Sequence, residues 1–314
     1  MMGDLLLLFP GQGSQVVGMG RHLWEAYPVA REVFSEAEDL LGWDLRRLCL
    51  DGPIEELTRT DRAQPAIFVC SVAAWRVLEG SGVDFRVAVG HSLGEYSALV
   101  ATGQLDFAAG LRVVERRGAA MYACGQEQAG TMAAIIGLAD GDVVALCAEV
   151  GDVWPANYNC PGQVVVSGRP DAVEAASRLA RERGARRALP LQVSGAFHTP
   201  LVAGAARQLA DVLAGVAIHA PVRGSFFSTT ELRYPEPDDV KETMVRQLTS
   251  PVRFTQSMGM LLDGLESGLE VGPGAVLAGL VRRSSGQFPV EGTGDAASLK
   301  YALKRLTNRE DTGE

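Results

Sequence analysis

Apolar residues fall along this chain in two rhythms, short unbroken runs and helically spaced stripes, that alternate from one end to the other. Leu5-Leu6-Leu7-Leu8-Phe9 is an unbroken run of strand length, followed by the turn Pro10-Gly11-Gln12-Gly13-Ser14. A run of this kind, closed by proline and glycine, predicts a buried strand. Helical spacing takes over near 20–41 and again from about 64 to 80. Phe85 to Val89 then predicts a second short buried strand, which ends in Gly90-His91-Ser92-Leu93-Gly94 and leads into a helical run from Glu95 to Ala101. A longer helix covers 106–124 and carries Arg112, Arg116 and Arg117.

The middle of the chain has its own order. Strands are predicted at Thr131–Leu138, Val153–Asn157, Gln163–Ser167 and Ala188–Val193, with helices at Asp140–Val150 and Pro170–Arg183. That sequence of elements, β-α-β-β-α-β, is the split βαβ or ferredoxin-like unit. It divides the chain into a large α/β domain over 1–127 and 196–314 and a small inserted subdomain over 128–195. Later elements are helices near 200–214 and 239–248 and a strand at Gly268–Val271. A loose polar tail is expected over Thr307–Glu314.

Composition narrows the function. The 314 residues are 47% apolar and 21% charged, which excludes a disordered or collagen-like chain and leaves room for a sizeable core. The 29 basic and 38 acidic residues give a net charge of −9, which argues against nucleic acid as a partner. No apolar run approaches the ~20 residues of a membrane helix. The N-terminus also lacks the pattern of a signal peptide, so a cytoplasmic setting is expected. Five scattered cysteines without a Cys-x-x-Cys pair predict neither a disulfide framework nor a structural metal site.

Gly90-His91-Ser92-Leu93-Gly94 fits Gly-x-Ser-x-Gly, the nucleophile elbow. In that turn the serine sits at the apex between strand and helix and the next backbone N–H, here of Leu93, faces a developing oxyanion. A glycine-rich turn with a capping serine is the competing reading. A serine nucleophile needs a base, and the chain has only His22, His91, His198 and His219. His91 adjoins Ser92 on a sharp turn, where neighbouring side chains point apart, so a packed or supporting role is expected. His22 and His219 read as surface residues. Context favours His198, in the small-residue loop Gly195-Ala196-Phe197-His198-Thr199-Pro200 after the insert. No acid stands out between Ser92 and His198, which counts against a generic esterase.

With these residues assembled, the chain resembles the malonyl-CoA:acyl carrier protein transacylase family, which includes the acyltransferase domains of fatty acid and polyketide synthases. The likeness rests on Phe9-Pro10-Gly11-Gln12-Gly13-Ser14-Gln15, Gly90-His91-Ser92-Leu93-Gly94-Glu95-Tyr96, Arg117, and Asn157-Tyr158-Asn159-Cys160-Pro161-Gly162-Gln163. It continues through Phe197-His198, Gln247-Leu248-Thr249-Ser250-Pro251-Val252 and Glu270-Val271-Gly272-Pro273-Gly274. The resemblance implies an α/β-hydrolase-like core with a ferredoxin-like subdomain. It implies Ser92 as nucleophile, His198 as base and acid, and the backbone N–H groups of Gln12 and Leu93 as oxyanion hole. A backbone carbonyl at Gln247 would orient the histidine in place of a triad acid.

Arg117 would bind the malonyl carboxylate, although helix pattern alone places it, like Gln247, on a helix surface. Phe197 resembles the bulky residue of malonyl-specific polyketide enzymes, with plain packing as the alternative. The implied activity passes a malonyl group from malonyl-CoA to an acyl carrier protein, with no permanently bound cofactor and no membrane. Rival readings are a proofreading acyl hydrolase, a transferase for another extender unit or between carriers, and a non-catalytic scaffold. The implied carrier is acidic, as is this chain, so docking would need a basic patch. Arg181, Arg183, Arg186 and Arg187 in the insert and Arg282 and Arg283 outside it are candidates, against an ordinary solvated charge face.

Overall fold

Leu5–Phe9 is buried along its whole length because strands flank it on both edges and helices cover both faces. The structure is a computed structural model and describes residues 4–193 and 195–307. Strand β1 (Leu5–Phe9) pairs in parallel with β2 (Val87–Gly90) and, on its other edge, with a strand near the C-terminus, Ser267–Glu270. Each apolar side chain in such a strand contributes roughly 1.5–3 kcal/mol by leaving water. The run of leucines therefore anchors the middle of the main sheet.

Between β2 and that late strand the chain forms a second sheet from β3 (Thr131–Ile136), β4 (Val153–Cys160), β5 (Gln163–Gly168) and β6 (Arg187–Pro190). Their order is β4-β5-β3-β6, antiparallel throughout. The main sheet is completed by β7 (Ser225–Phe227), β8 (Ser267–Glu270) and β9 (Val290–Gly292), in the order β7-β2-β1-β8-β9, all parallel. The fold is thus mixed α/β with one parallel and one antiparallel sheet.

Period-two alternation decides how the small sheet packs. Ala133 and Ile135 on β3, with Val164 and Val166 on β5, face the helices Asp140–Val150 and Pro170–Glu182 through Val143, Leu146, Val173 and Ala176. The intervening Met132, Ala134 and Val165 face the other way, into the core of the main sheet. Backbone bonds from Tyr158 N–H to the Val252 carbonyl and from Val252 N–H to the Ala156 carbonyl, each 2.9 Å, tie β4 to the loop after the Val240–Gln247 helix.

Several elements differ from expectation for local reasons. The helical stretch near 20–41 is two helices, Arg21–Ala26 and Pro28–Leu41, because Tyr27 is extended before a proline that starts the second. β4 runs on to Cys160 through register shifts at Pro155/Asn157 and Tyr158/Cys160, which a pattern of alternation does not reveal. β7 and β9 are three residues each, too short to carry a period. β6 stops at Pro190 rather than Val193. Of the expected polar tail, Thr307 ends the Ala296–Thr307 helix and 308–314 lie outside the described residues. Among the described residues no helix is long and apolar enough to cross a membrane.

Candidate active site

Because β1 and β2 are parallel neighbours, the loops that leave them open on the same edge of the sheet. Ser92 sits at the apex of the second loop with φ of 53°, a left-handed conformation that a non-glycine residue adopts only when its surroundings impose it. Two glycines make that possible. A Cβ on Gly90 would overlap the backbone of Gly94 and Glu95, and a Cβ on Gly94 would overlap the Phe9 carbonyl. Turn hydrogen bonds come from the N–H groups of Gly94, Glu95 and Tyr96, to His91, Ser92 and Leu93 carbonyls. The intervening N–H of Leu93 is not used in them. Gln12 and Leu93 both line the cavity in front of Ser92, and the Gln12 side chain is tied back to Thr60 Oγ1 at 3.2 Å.

His198 reaches the same point from the opposite side. Its loop is closed by Thr199 Oγ1, which donates to the Ala196 carbonyl at 2.7 Å, and its φ is 61°. Nε2 lies 2.9 Å from Ser92 Oγ, while Nδ1 lies 2.8 Å from the Gln247 carbonyl and 3.2 Å from that of Ser250. Carbonyls only accept, so the proton belongs on Nδ1 and Nε2 is left to accept from the serine hydroxyl. Burial, reinforced by the positive charge of Arg117, holds the His198 imidazole down to about 3, with the Gln247 carbonyl pulling the other way.

Arg117 is not on a surface: it is 1% exposed, whereas Arg112 and Arg116 on the same helix face water. Its Nη2 donates to Ser92 Oγ at 2.9 Å and to Gln247 Oε1 at 3.0 Å, and its Nη1 to Gln64 Oε1 at 2.6 Å. The guanidinium also lies over the Tyr96 ring at 5.5 Å. Gln247, likewise fully buried, donates through Nε2 to the Ser92 carbonyl at 3.0 Å and to Glu95 Oε2 at 2.6 Å. Phe197 is 5% exposed and lines the cavity, with Met132 and Val165 from the small sheet opposite and Arg283 at the rim. The cavity measures about 400 Å³, more than a three-carbon acyl group needs.

The remaining histidines separate clearly. His91 points away from Ser92, its Nε2 2.9 Å from Asn159 Oδ1 and its ring against Phe254. His219 is exposed beside Asp106. His22 departs from expectation: it is half-buried, with Nε2 3.0 Å from the Thr293 carbonyl. Among the described residues no three His, Cys, Asp or Glu side chains gather as a metal site would need.

The sequence reading missed Gln64 and Glu95 as parts of the site. Each is a long polar side chain inside a helical run of otherwise apolar or small residues, 63–74 or Gly94–Ala101, and that interruption was the available signal. Glu95 is the buried acid nearest in sequence to the elbow. Its hydrogen bonds go to the Gln247 side chain and Thr229, while those of His198 go to Ser92, Gln247 and Ser250.

A serine hydroxyl aimed at a neutral imidazole, with a buried cation at the oxygen, is equipped to take an acyl group from carbonyl compounds that carry a negative charge. Comparison with known proteins agrees with that chemistry. The Acyl transferase domain family matches residues 6–304. The chain is 41% identical to the malonyl CoA-acyl carrier protein transacylase of Bacillus subtilis (strain 168), over 99% of both chains. The solved malonyl CoA-acyl carrier protein transacylase of Coxiella burnetii superposes with a TM-score of 0.94 at 34% identity, covering 98% of this chain and 99% of that one. A malonyl-transacylase solved in complex with its type II PKS acyl-carrier protein gives a TM-score of 0.93 at 41% identity, covering 96% and 99%.

Proposed function

This chain belongs to the acyl transferase domain family, and from that premise we propose that it moves a malonyl group from malonyl-CoA to the phosphopantetheine thiol of an acyl carrier protein. The observation that carries the malonyl reading is the 2.9 Å separation of Arg117 Nη2 from Ser92 Oγ at the inner wall of the cavity. A fork-shaped, permanently charged donor at that point suits a carboxylate two carbons from the carbonyl under attack, and an acetyl group leaves it unmatched.

In this reading Ser92 Oγ attacks the thioester carbonyl while its proton passes to His198 Nε2. The oxyanion would lie against the N–H groups of Gln12 and Leu93. The intermediate collapses to a malonyl-serine ester, and the proton leaves with the CoA thiol. The carrier thiol then gives its proton to His198 and attacks the ester, restoring Ser92. The substrate carboxylate has a second effect. Arg117 is one of the causes that depress His198, so a carboxylate placed at Nη2, beside the serine, offsets that field where the imidazole has to act. The Gln247 and Ser250 carbonyls stabilise the imidazolium that forms. These groups suffice for the chemistry, so the proposal includes no resident cofactor. It places the reaction in the cytoplasm, where its CoA donor is made.

The test is intact-mass detection of acyl-enzyme after incubation with malonyl-CoA, acetyl-CoA or methylmalonyl-CoA. Malonyl ester should dominate and be absent from Ser92→Ala. Equal labelling by acetyl-CoA, or rapid loss of the ester to water without carrier protein, would refute a malonyl transferase.

A further inference from the structure

Arg117 is buried, yet its hydrogen-bond partners are two amides and a hydroxyl, and none is a carboxylate. A guanidinium taken out of water needs a countercharge close by. Glu95 is the acid placed to supply it. It is 0% exposed, and its Oε2 accepts from Gln247 Nε2 at 2.6 Å, so a single amide separates it from Arg117. Its Oε1 accepts from the N–H and the hydroxyl of Thr229, both at 2.7 Å.

Thr229 makes this acid unusual. Its Oγ1 also lies 3.2 Å from the Gly90 carbonyl. With Glu95 ionised, the hydroxyl donates to the carboxylate. With Glu95 protonated on Oε1, the acid donates to Thr229 Oγ1 and the hydroxyl turns its own proton to Gly90. Thr229 N–H and Gln247 Nε2 remain donors in both states, so either charge state is satisfied without moving a heavy atom.

We propose that Glu95 is the resident countercharge of Arg117, and that it takes up one proton from solvent when an acyl carboxylate binds the guanidinium. This rests on the malonyl reading above. The charges balance: one carboxylate and one proton enter together, and the cation exchanges one partner for another. Without the proton, two carboxylates would share one buried cation. The malonyl carboxylate and Glu95 thus occupy the charge of Arg117 in turn.

The surrounding groups leave Glu95 as the one to respond. Burial pushes its carboxyl up to about 7, opposed by Thr229, Gln247 and Arg117. Tyr96 on the same helix is pushed up to about 12 and stays neutral, and His198 is held down to about 3. His91 on the elbow is lowered by burial, and Arg117 on the neighbouring helix, though lowered, stays a cation. Beyond the wall formed by Thr229 and Gln247, Glu231 pairs with Arg246 and Arg233 in a surface cleft that Arg253 also lines.

Titration calorimetry of the Ser92→Ala protein with malonyl-CoA, repeated in buffers of different ionisation heat, counts the protons taken up per ligand. Acetyl-CoA carries the same phosphates and serves as the reference. For a group at about 7, uptake in excess of the reference should be about 0.9 at pH 8 and about 0.1 at pH 6. It should vanish when Glu95→Gln is added, and survive when His198→Ala is added instead. Malonyl-CoA binding with no excess uptake at pH 8, or uptake abolished by His198→Ala, would overturn the proposal even where the Glu95 variant does not fold. Wild-type protein that forms no malonyl ester would refute the functional reading itself. Ester formed without proton uptake refutes only this inference.

Discussion

Arg117 is the residue whose role depends most on burial. On the helix Phe107–Glu127 it follows Arg116 directly, and helical spacing alone puts both at a surface. Only the packing of Gln64, Tyr96 and Gln247 around it turns a solvated arginine into a fixed cation at the serine. In the unloaded site its Nη2 hydrogen bond draws density from Ser92 Oγ, and an incoming carboxylate that takes this donor frees the nucleophile. Arg117→Ala should therefore lower kcat/KM for malonyl-CoA by about 10²–10⁴, the roughly 3–5 kcal/mol of leaving a buried charge unpaired. Acetyl-CoA should lose less than about tenfold, since it leaves no charge behind. Single-turnover acylation with both donors measures the split, and equal losses would make Arg117 a scaffold residue. Ser92 and His198 were legible because a turn motif and a small-residue loop mark them locally. Gln64 and Glu95 were not, and Gln247 entered only through the family resemblance, because a polar side chain buried by long-range packing looks in sequence like one facing water.

At the level of elements, the elbow depends on close approach of backbone to backbone. Gly94 begins the Gly94–Ala101 helix directly over the Phe9 carbonyl, and every residue of that helix is buried. Gly94→Ala must push helix and β1 apart, an overpacking that costs about 1–3 kcal/mol and also displaces Ser92. A lower Tm together with collapse of acyl-enzyme formation is expected. Gly204, in the Ala203–Ala214 helix, is the matched control: a Cβ there meets nothing within 4 Å. Gly204→Ala should gain up to about 1 kcal/mol with unchanged activity, and thermal unfolding of the two variants distinguishes steric from conformational effects. The same contrast explains which elements the sequence made visible. Unbroken apolar runs such as Leu5–Phe9 and 132–136 carry their signal within themselves. β7 and β9 exist because an existing sheet edge pairs with three residues that have no pattern of their own.

For the whole molecule, a net charge of −9 sets the terms on which an acidic partner can approach. Long-range repulsion has to be overcome by a local positive field, and the exposed arginines are not equal in supplying one. Arg183 is paired with Glu149, and Arg181 is turned in to the Ala188 carbonyl. Arg186 instead lies against Gly137, whose N–H bonds to the Gly162 carbonyl in the β4–β5 turn. Two residues back from that turn glycine, Cys160 Sγ meets Arg283 Nε at 3.2 Å, and Arg283 lines the mouth of the cavity. Arg186, just before β6, and Arg283, in the Val276–Ser284 helix, thus bracket one turn beside the entrance through which a phosphopantetheine arm has to pass. Charge reversal at both, Arg186→Glu with Arg283→Glu, should raise the KM for carrier protein about tenfold or more at low salt. The difference should shrink as ionic strength rises, because exposed charges are screened. Reversal of Arg183, which already has a partner, should change it little. The KM for malonyl-CoA, measured in the acylation half-reaction without carrier, separates docking from damage to the pocket at Arg283. Arg186→Glu alone should leave it unchanged while still weakening carrier use, and an unaltered carrier KM in that variant would move the docking face elsewhere.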